Sequence, residues 1–210
     1  MKFKLFMALL LTALLSHPAT AAIDEGIEYK RISPAQPTIT KNKIEIVELF
    51  WYGCPHCYNF EPVLKEWLAK QSDNVVFYRV PAVFNATWGL HARAFYTAKS
   101  LGLFDDEKVN FHGAFFDEIH KNKKRLNNKN ALRAFFARFG VSSQDFNDTF
   151  DSFSVNTKYN RAVGLSKGYQ IDGVPTLIVN GKYRTDGPMA GGRKGILKVL
   201  DFLIKKESNK

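Results

Sequence analysis

The chain has 210 residues, 18 of them Phe and 45% of them hydrophobic, which is too apolar for a disordered chain and enough for a substantial core. Its 30 Lys and Arg against 20 Asp and Glu give a formal net charge of +10. These charges are spread along the sequence, which reads as solvation and argues against a nucleic-acid site. Two cysteines, both within one four-residue stretch, exclude a scaffold stapled by several disulfides.

Residues 1–22 read as a secretory signal peptide. Lys2 and Lys4 form the basic start, Leu5 to Leu15 the apolar run, and Ala19-Thr20-Ala21-Ala22 the small-residue cleavage region. The run is about half of the roughly 20 residues a membrane span needs, and no later stretch is longer. Residues 23–42 are irregular, with Pro34 and Pro37. The dense β-prone run Lys43–Tyr52 predicts a strand buried on both faces. Gly53 breaks it, and a helix is expected from about Cys54, with Pro55 in its first turn and Pro62 kinking it. Val75–Val80 reads as a second buried strand closed by Pro81, completing a right-handed βαβ unit.

The periodicity then turns helical. Helices are expected over Trp88–Leu101, over Glu107–Lys121 (Phe111, Phe115 and Ile119 on one face) and over Asn130–Phe139, which Gly140 ends. Ser142 with Asp145 resembles a capping pair for a fourth helix, and a fifth ends at Gly168. The tail reverts to strands: Thr176–Val179, a turn at Asn180-Gly181, then Tyr183–Thr185, with a last helix over Ile196–Lys206. The order is β-α-β, a helical block, then β-β-α, which suggests one α/β domain split by an all-helical insert.

The candidate chemistry lies in Cys54-Pro55-His56-Cys57. Closing a loop of about four residues stabilises a fold by only roughly 2 kcal/mol, against nearly 5 for a loop of about 100, so this placement favours reactivity over stapling. A helix N-terminus offers unpaired N–H groups and a partial positive charge, which stabilise a thiolate. That makes Cys54 the candidate nucleophile and Cys57, one turn further in, the candidate resolving thiol. His56 is placed to bring a ring N–H or a charge near the Cys54 sulfur. A zinc site is a poor alternative, because four ligands are needed and His91, His112 and His120 are scattered. No metal and no cofactor is expected.

Phe50-Trp51-Tyr52-Gly53-Cys54-Pro55-His56-Cys57 resembles the active site of the DsbA family, thioredoxin-fold thiol oxidants. Gly173-Val174-Pro175-Thr176 is similar to the family's cis-proline loop, Pro62 to its kink proline, and Glu48 and Glu61 to family acids. The resemblance implies an α/β thioredoxin fold, a central mixed sheet flanked by helices, over 23–85 and 167–210, with an inserted helical domain at 86–166. It implies that Cys54, Pro55, His56 and Cys57 carry the reaction, that Cys54 and Cys57 form the redox-active disulfide, and that Glu48, Glu61, Val174 and Pro175 support it. It also implies a site in the periplasm of a Gram-negative bacterium. Reduced or unfolded exported proteins would be the substrates, a DsbB-like, quinone-linked membrane protein would restore the disulfide, and the chain would act as a monomer. A low-pKa, oxidising thiol is the standard property of DsbA and comes with the resemblance. Rival readings are a disulfide isomerase or reductase on the same fold and a peptide-binding holdase. No room is apparent for the separate dimerisation domain that such isomerases carry.

Overall fold

The computed structural model describes residues 22–105 and 109–209. The signal peptide expected at 1–22 therefore falls outside them except for its last residue, as do the first two residues of the helix expected at Glu107–Lys121.

The described strands form one sheet in the order β1 (Lys30–Arg31), β5 (Tyr183–Asp186), β4 (Thr176–Val179), β2 (Ile44–Phe50), β3 (Val75–Pro81). β2 is central, parallel to β3 and antiparallel to β4, so the sheet is mixed. All seven residues of β2 are buried, which explains its near-continuous apolar run. Helix α1 (Pro55–Leu68) connects β2 to β3. It continues through Pro62, which has no N–H to give the Tyr58 carbonyl.

Between β3 and β4 lie α2 (Ala86–Ser100), α3 (Phe111–His120), α4 (Lys129–Ala137), α5 (Ser143–Phe150) and α6 (Phe153–Gly168). After β5 come a short α7 (Gly187–Ala190) and α8 (Arg193–Ser208). The sheet carries a core on each face. Ile44 and Ile46 pack with Phe60, Leu64, Ile196 and Leu200 of α1 and α8. Val47 and Leu49 join a cluster that includes Phe95, Phe111, Phe115 and Phe136 of the helical block.

The helical block starts where side chains cap it. Asn85, Asn110, Asn128, Ser142 and Ser152 each accept an N–H from the first turn of the helix that follows. The Asn180-Gly181 turn is as the sequence predicts. Both residues have positive φ (50° and 63°), and Asn180 also ties β2 to the hairpin by accepting the Glu45 N–H at 2.7 Å.

Candidate active site

β2 ends at Phe50, and four residues later Cys54 stands as the N-cap of α1 with extended backbone (φ −86°, ψ 116°). A turn closed by the Cys54 N–H donating to the Trp51 carbonyl at 3.0 Å joins the two elements. Gly53 is required there, because a Cβ would stand 2.3 Å from the Trp51 ring. No side chain caps α1, so its first amides are left to the sulfur. Pro55 and His56 are exposed, Cys54 is 7% exposed and Cys57 is fully buried. Both cysteines carry free thiols.

This environment separates the two sulfurs. Cys54 is lowered to about 6, first by the hydrogen bond that the Cys57 thiol donates. Burial opposes the shift, while the backbone N–H groups of Cys57 and His56 and the His56 side chain add to it. Cys57 is pushed well above its ordinary value, chiefly by burial and then by its bond to Cys54. One thiol is thus readily ionised and the other is held protonated.

The loop before β4 faces the pair. The Val174–Pro175 peptide is cis, and the Val174 carbonyl accepts from the Cys54 thiol at 3.3 Å. Thr176 Oγ1 donates to the Gly173 carbonyl at 2.7 Å and holds the loop closed on itself. Alongside runs a groove of about 740 Å³, lined by His56, Val174, Pro175, Met189 and Ile196 among others.

Behind the cysteines lies a partly buried polar chain. The parallel register sets Glu48 opposite Arg79, and Arg79 Nε donates to Glu48 Oε2 at 2.9 Å. Arg79 Nη2 donates to both Glu61 oxygens, at 2.9 and 3.1 Å. His112 Nε2 lies 3.2 Å from Glu61 Oε1, and His112 Nδ1 lies 2.9 Å from the Tyr52 hydroxyl. An ionised Glu61 only accepts, so Nε2 carries the proton and Tyr52 donates to Nδ1.

One guanidinium therefore serves two carboxylates unequally. Burial pulls Glu61 up, but bonds from His112 and Arg79 outweigh it and leave Glu61 lowered. Glu48 has one such bond, and its Oε1 is buried without a partner. Burial raises it to about 8, despite Arg79. The charge of Glu48 in turn raises Cys57.

The structure thus brings Cys54, Pro55, His56, Cys57, Val174 and Pro175 to one place and sets Glu48 and Glu61 behind them, joined through Arg79. Sequence reasoning missed Arg79 and His112. A lone Arg in the apolar strand Val75–Pro81, aligned against the acid of the neighbouring strand, is the signal that identifies the first. Among the described residues, no group of three or more His, Cys, Asp or Glu is placed to hold a metal ion.

Comparison with known proteins gives the family. The family model described as a DSBA-like thioredoxin domain matches residues 75–196, which include the cis-proline loop but begin after the cysteines. The thiol:disulfide interchange protein DsbA of Pseudomonas syringae pv. tomato is 45% identical over 193 residues, covering 92% of this chain and 88% of that protein. The crystal structure of Pseudomonas aeruginosa DsbA superposes with a TM-score of 0.81 at 43% identity, covering 88% of this chain and 94% of that one. The oxidoreductase DsbA of Xylella fastidiosa gives 0.82 at 32% identity, covering 90% and 99%. The chain belongs to the DsbA family, thiol:disulfide oxidoreductases built on a thioredoxin fold with helices inserted into it.

Proposed function

We propose that Cys54 is the exchanging sulfur and Cys57 the resolving one, and that the oxidised pair is donated to reduced polypeptides. The observation that carries this is their asymmetry. Cys54 sits at an uncapped helix N-terminus beside the Val174 carbonyl, whereas Cys57 is fully enclosed. A substrate thiolate attacks Cys54 Sγ of the Cys54–Cys57 disulfide. That S–S bond breaks, its electron pair goes to Cys57, and Cys57 takes a proton. A second substrate thiolate attacks the substrate sulfur of the mixed disulfide, and Cys54 leaves as a stabilised thiolate. The substrate has formed one disulfide and the enzyme has been reduced to a dithiol.

Pro55 fixes the start of α1 without adding an N–H, and His56 supports the departing thiolate. Glu48, raised to about 8, is the proton source for Cys57, with Arg79 and Glu61 holding it in place. Val174 and Pro175 present a backbone edge just before β4 for the substrate chain, which the adjoining groove continues. Residues 86–166 act as the helical insert over the sheet. The setting that suits this chemistry is the Gram-negative periplasm. The substrates are exported proteins, the enzyme is a monomer, and a quinone-linked membrane partner restores the disulfide.

The test challenges two variants, each left with a single active-site thiol, with an unfolded protein that carries a disulfide, which a lone thiolate attacks without a further oxidant. Cys57→Ser should accumulate a mixed disulfide on Cys54, and Cys54→Ser should form none and lose oxidase activity. Equal trapping on Cys57 in the Cys54→Ser variant would contradict the assignment.

A further inference from the structure

Three of the chain's five histidines come from the helical block, and all three bind Trp51 or Tyr52, the residues that join β2 to the Cys54 turn. Trp51 Nε1–H donates to His91 Nδ1 at 3.0 Å. His91 Nε2 lies 3.3 Å from the carbonyls of Arg125 and Leu126, which only accept, so the proton is on Nε2 and Nδ1 presents its lone pair. His112 Nδ1 accepts from the Tyr52 hydroxyl, and His120 Nε2 donates to the Tyr52 carbonyl at 2.9 Å. His91 comes from the middle of α2, and the other two from the opposite ends of α3.

Of the two residues they hold, Trp51 reaches the surroundings of both sulfurs, and Tyr52 follows it in the same turn. The Trp51 carbonyl accepts the Cys54 N–H, and the Trp51 backbone N–H favours the ionised form of Cys57. The Trp51 ring lies over Gly53, immediately before the nucleophile, and stacks on Trp88 with ring centroids 4.4 Å apart. A histidine buried to 2% exposure is costlier to enclose than a phenylalanine unless it is fully paired, and His91 is paired at both nitrogens. Burial also holds His91 down to about 4, so it stays neutral with its Nδ1 lone pair free for Trp51.

We propose that His91, His112 and His120 are positioning residues for the dithiol: through Trp51 and Tyr52 the helical block fixes the turn that supports the reduced sulfurs, and so sets how strongly the pair oxidises. This rests on reading Cys54 and Cys57 as the redox pair. Loosening the turn weakens support for the thiolates, so the equilibrium moves toward the protein disulfide and the enzyme becomes a weaker oxidant.

The test measures, in the purified protein, the equilibrium of the Cys54–Cys57 disulfide with glutathione and the thiolate absorbance of Cys54 against pH. His91→Phe removes the acceptor. It should shift the equilibrium at least threefold toward the disulfide and raise the Cys54 midpoint by about 0.5 unit, the logarithm of that factor. His91→Asn, which returns an acceptor oxygen near the Nδ1 position, should recover most of the shift. Trp51→Phe deletes the same bond from the other side and decides the matter if His91→Phe does not fold. It should reproduce the shift, and Trp51→Phe with His91→Asn should add little to it. Variants that lose melting temperature but keep both the equilibrium and the midpoint of the parent would overturn the proposal and leave these histidines a packing role. A parent protein showing no exchange at Cys54 would instead sink the reading of the redox pair, and that is seen before any variant is made.

Discussion

At the scale of single residues, the reaction depends on two sulfurs three residues apart in opposite states. The reduced protein should release one thiol proton with a midpoint of about 6, while Cys57 stays protonated well beyond the ordinary cysteine range. His56→Ala removes one of the groups that favour the Cys54 thiolate. A pH titration of thiolate absorbance should show its midpoint moving up, and an unmoved midpoint would leave the effect to the Cys57 hydrogen bond and the backbone amides. Glu48→Gln keeps a polar group toward Arg79 but cannot exchange a proton. The pH profile of Cys57 alkylation should lose its feature near 8 in this variant, and an unaltered profile would remove Glu48 from proton transfer. These residues were legible because their meaning is local: a Cys-x-x-Cys pair after an apolar run, and an acid within that run. Arg79 was not, since its role appears only when β3 is set in register beside β2.

Among the elements, the long apolar strand and the Asn-Gly hairpin could be read directly, because burial on both faces and positive φ each leave a composition signature. Helix boundaries were less legible. α2 begins at Ala86 because the Asn85 side chain accepts the Trp88 N–H, ahead of the expected start at Trp88. α3 begins only at Phe111, where Asn110 caps it, later than the expected Glu107. β1 and α7 are too short for any period to reveal them, and β1 exists because Lys30 and Arg31 pair with β5, more than 150 residues away. α2 carries both Trp88 and His91, so its start matters to the active-site turn. Asn85→Ala should lower unfolding free energy by about 1 kcal/mol in denaturant melts, and no loss would mean the cap is solvent-replaceable.

For the whole molecule, titration couples fold to redox state. Cys54 is lowered from 9.0 to about 6 in the fold, so the unfolded chain binds more protons between those values. The stability this gives is present above pH 9 and lost as pH falls through 6. Only the dithiol form has this group to titrate. Reduced protein should therefore gain stability over oxidised protein as pH rises from 6 toward 9, by at most about 1.4 kcal/mol per unit. Paired denaturant melts measure that gap, and a gap independent of pH would contradict it. His91, lowered from 6.5 to about 4, acts in both forms, and its contribution is lost as pH falls through 4. Glu48, raised from 4.5 to about 8, has the opposite sign, with its contribution present below 4.5 and lost as pH rises through 8.

The two-core architecture makes the dithiol a joint product of the sheet, which supplies β2 and the cis-proline loop, and of the helical block, which closes over Trp51 and Tyr52. By supporting the reduced sulfurs, this arrangement should make the Cys54–Cys57 disulfide an oxidant. Its equilibrium with a glutathione redox buffer tests that most directly. Mild glutathione buffers, well short of those that reduce structural disulfides, should convert the protein to its dithiol form. A disulfide that stays closed until strongly reducing conditions would contradict it and point to a structural bridge or a reductase.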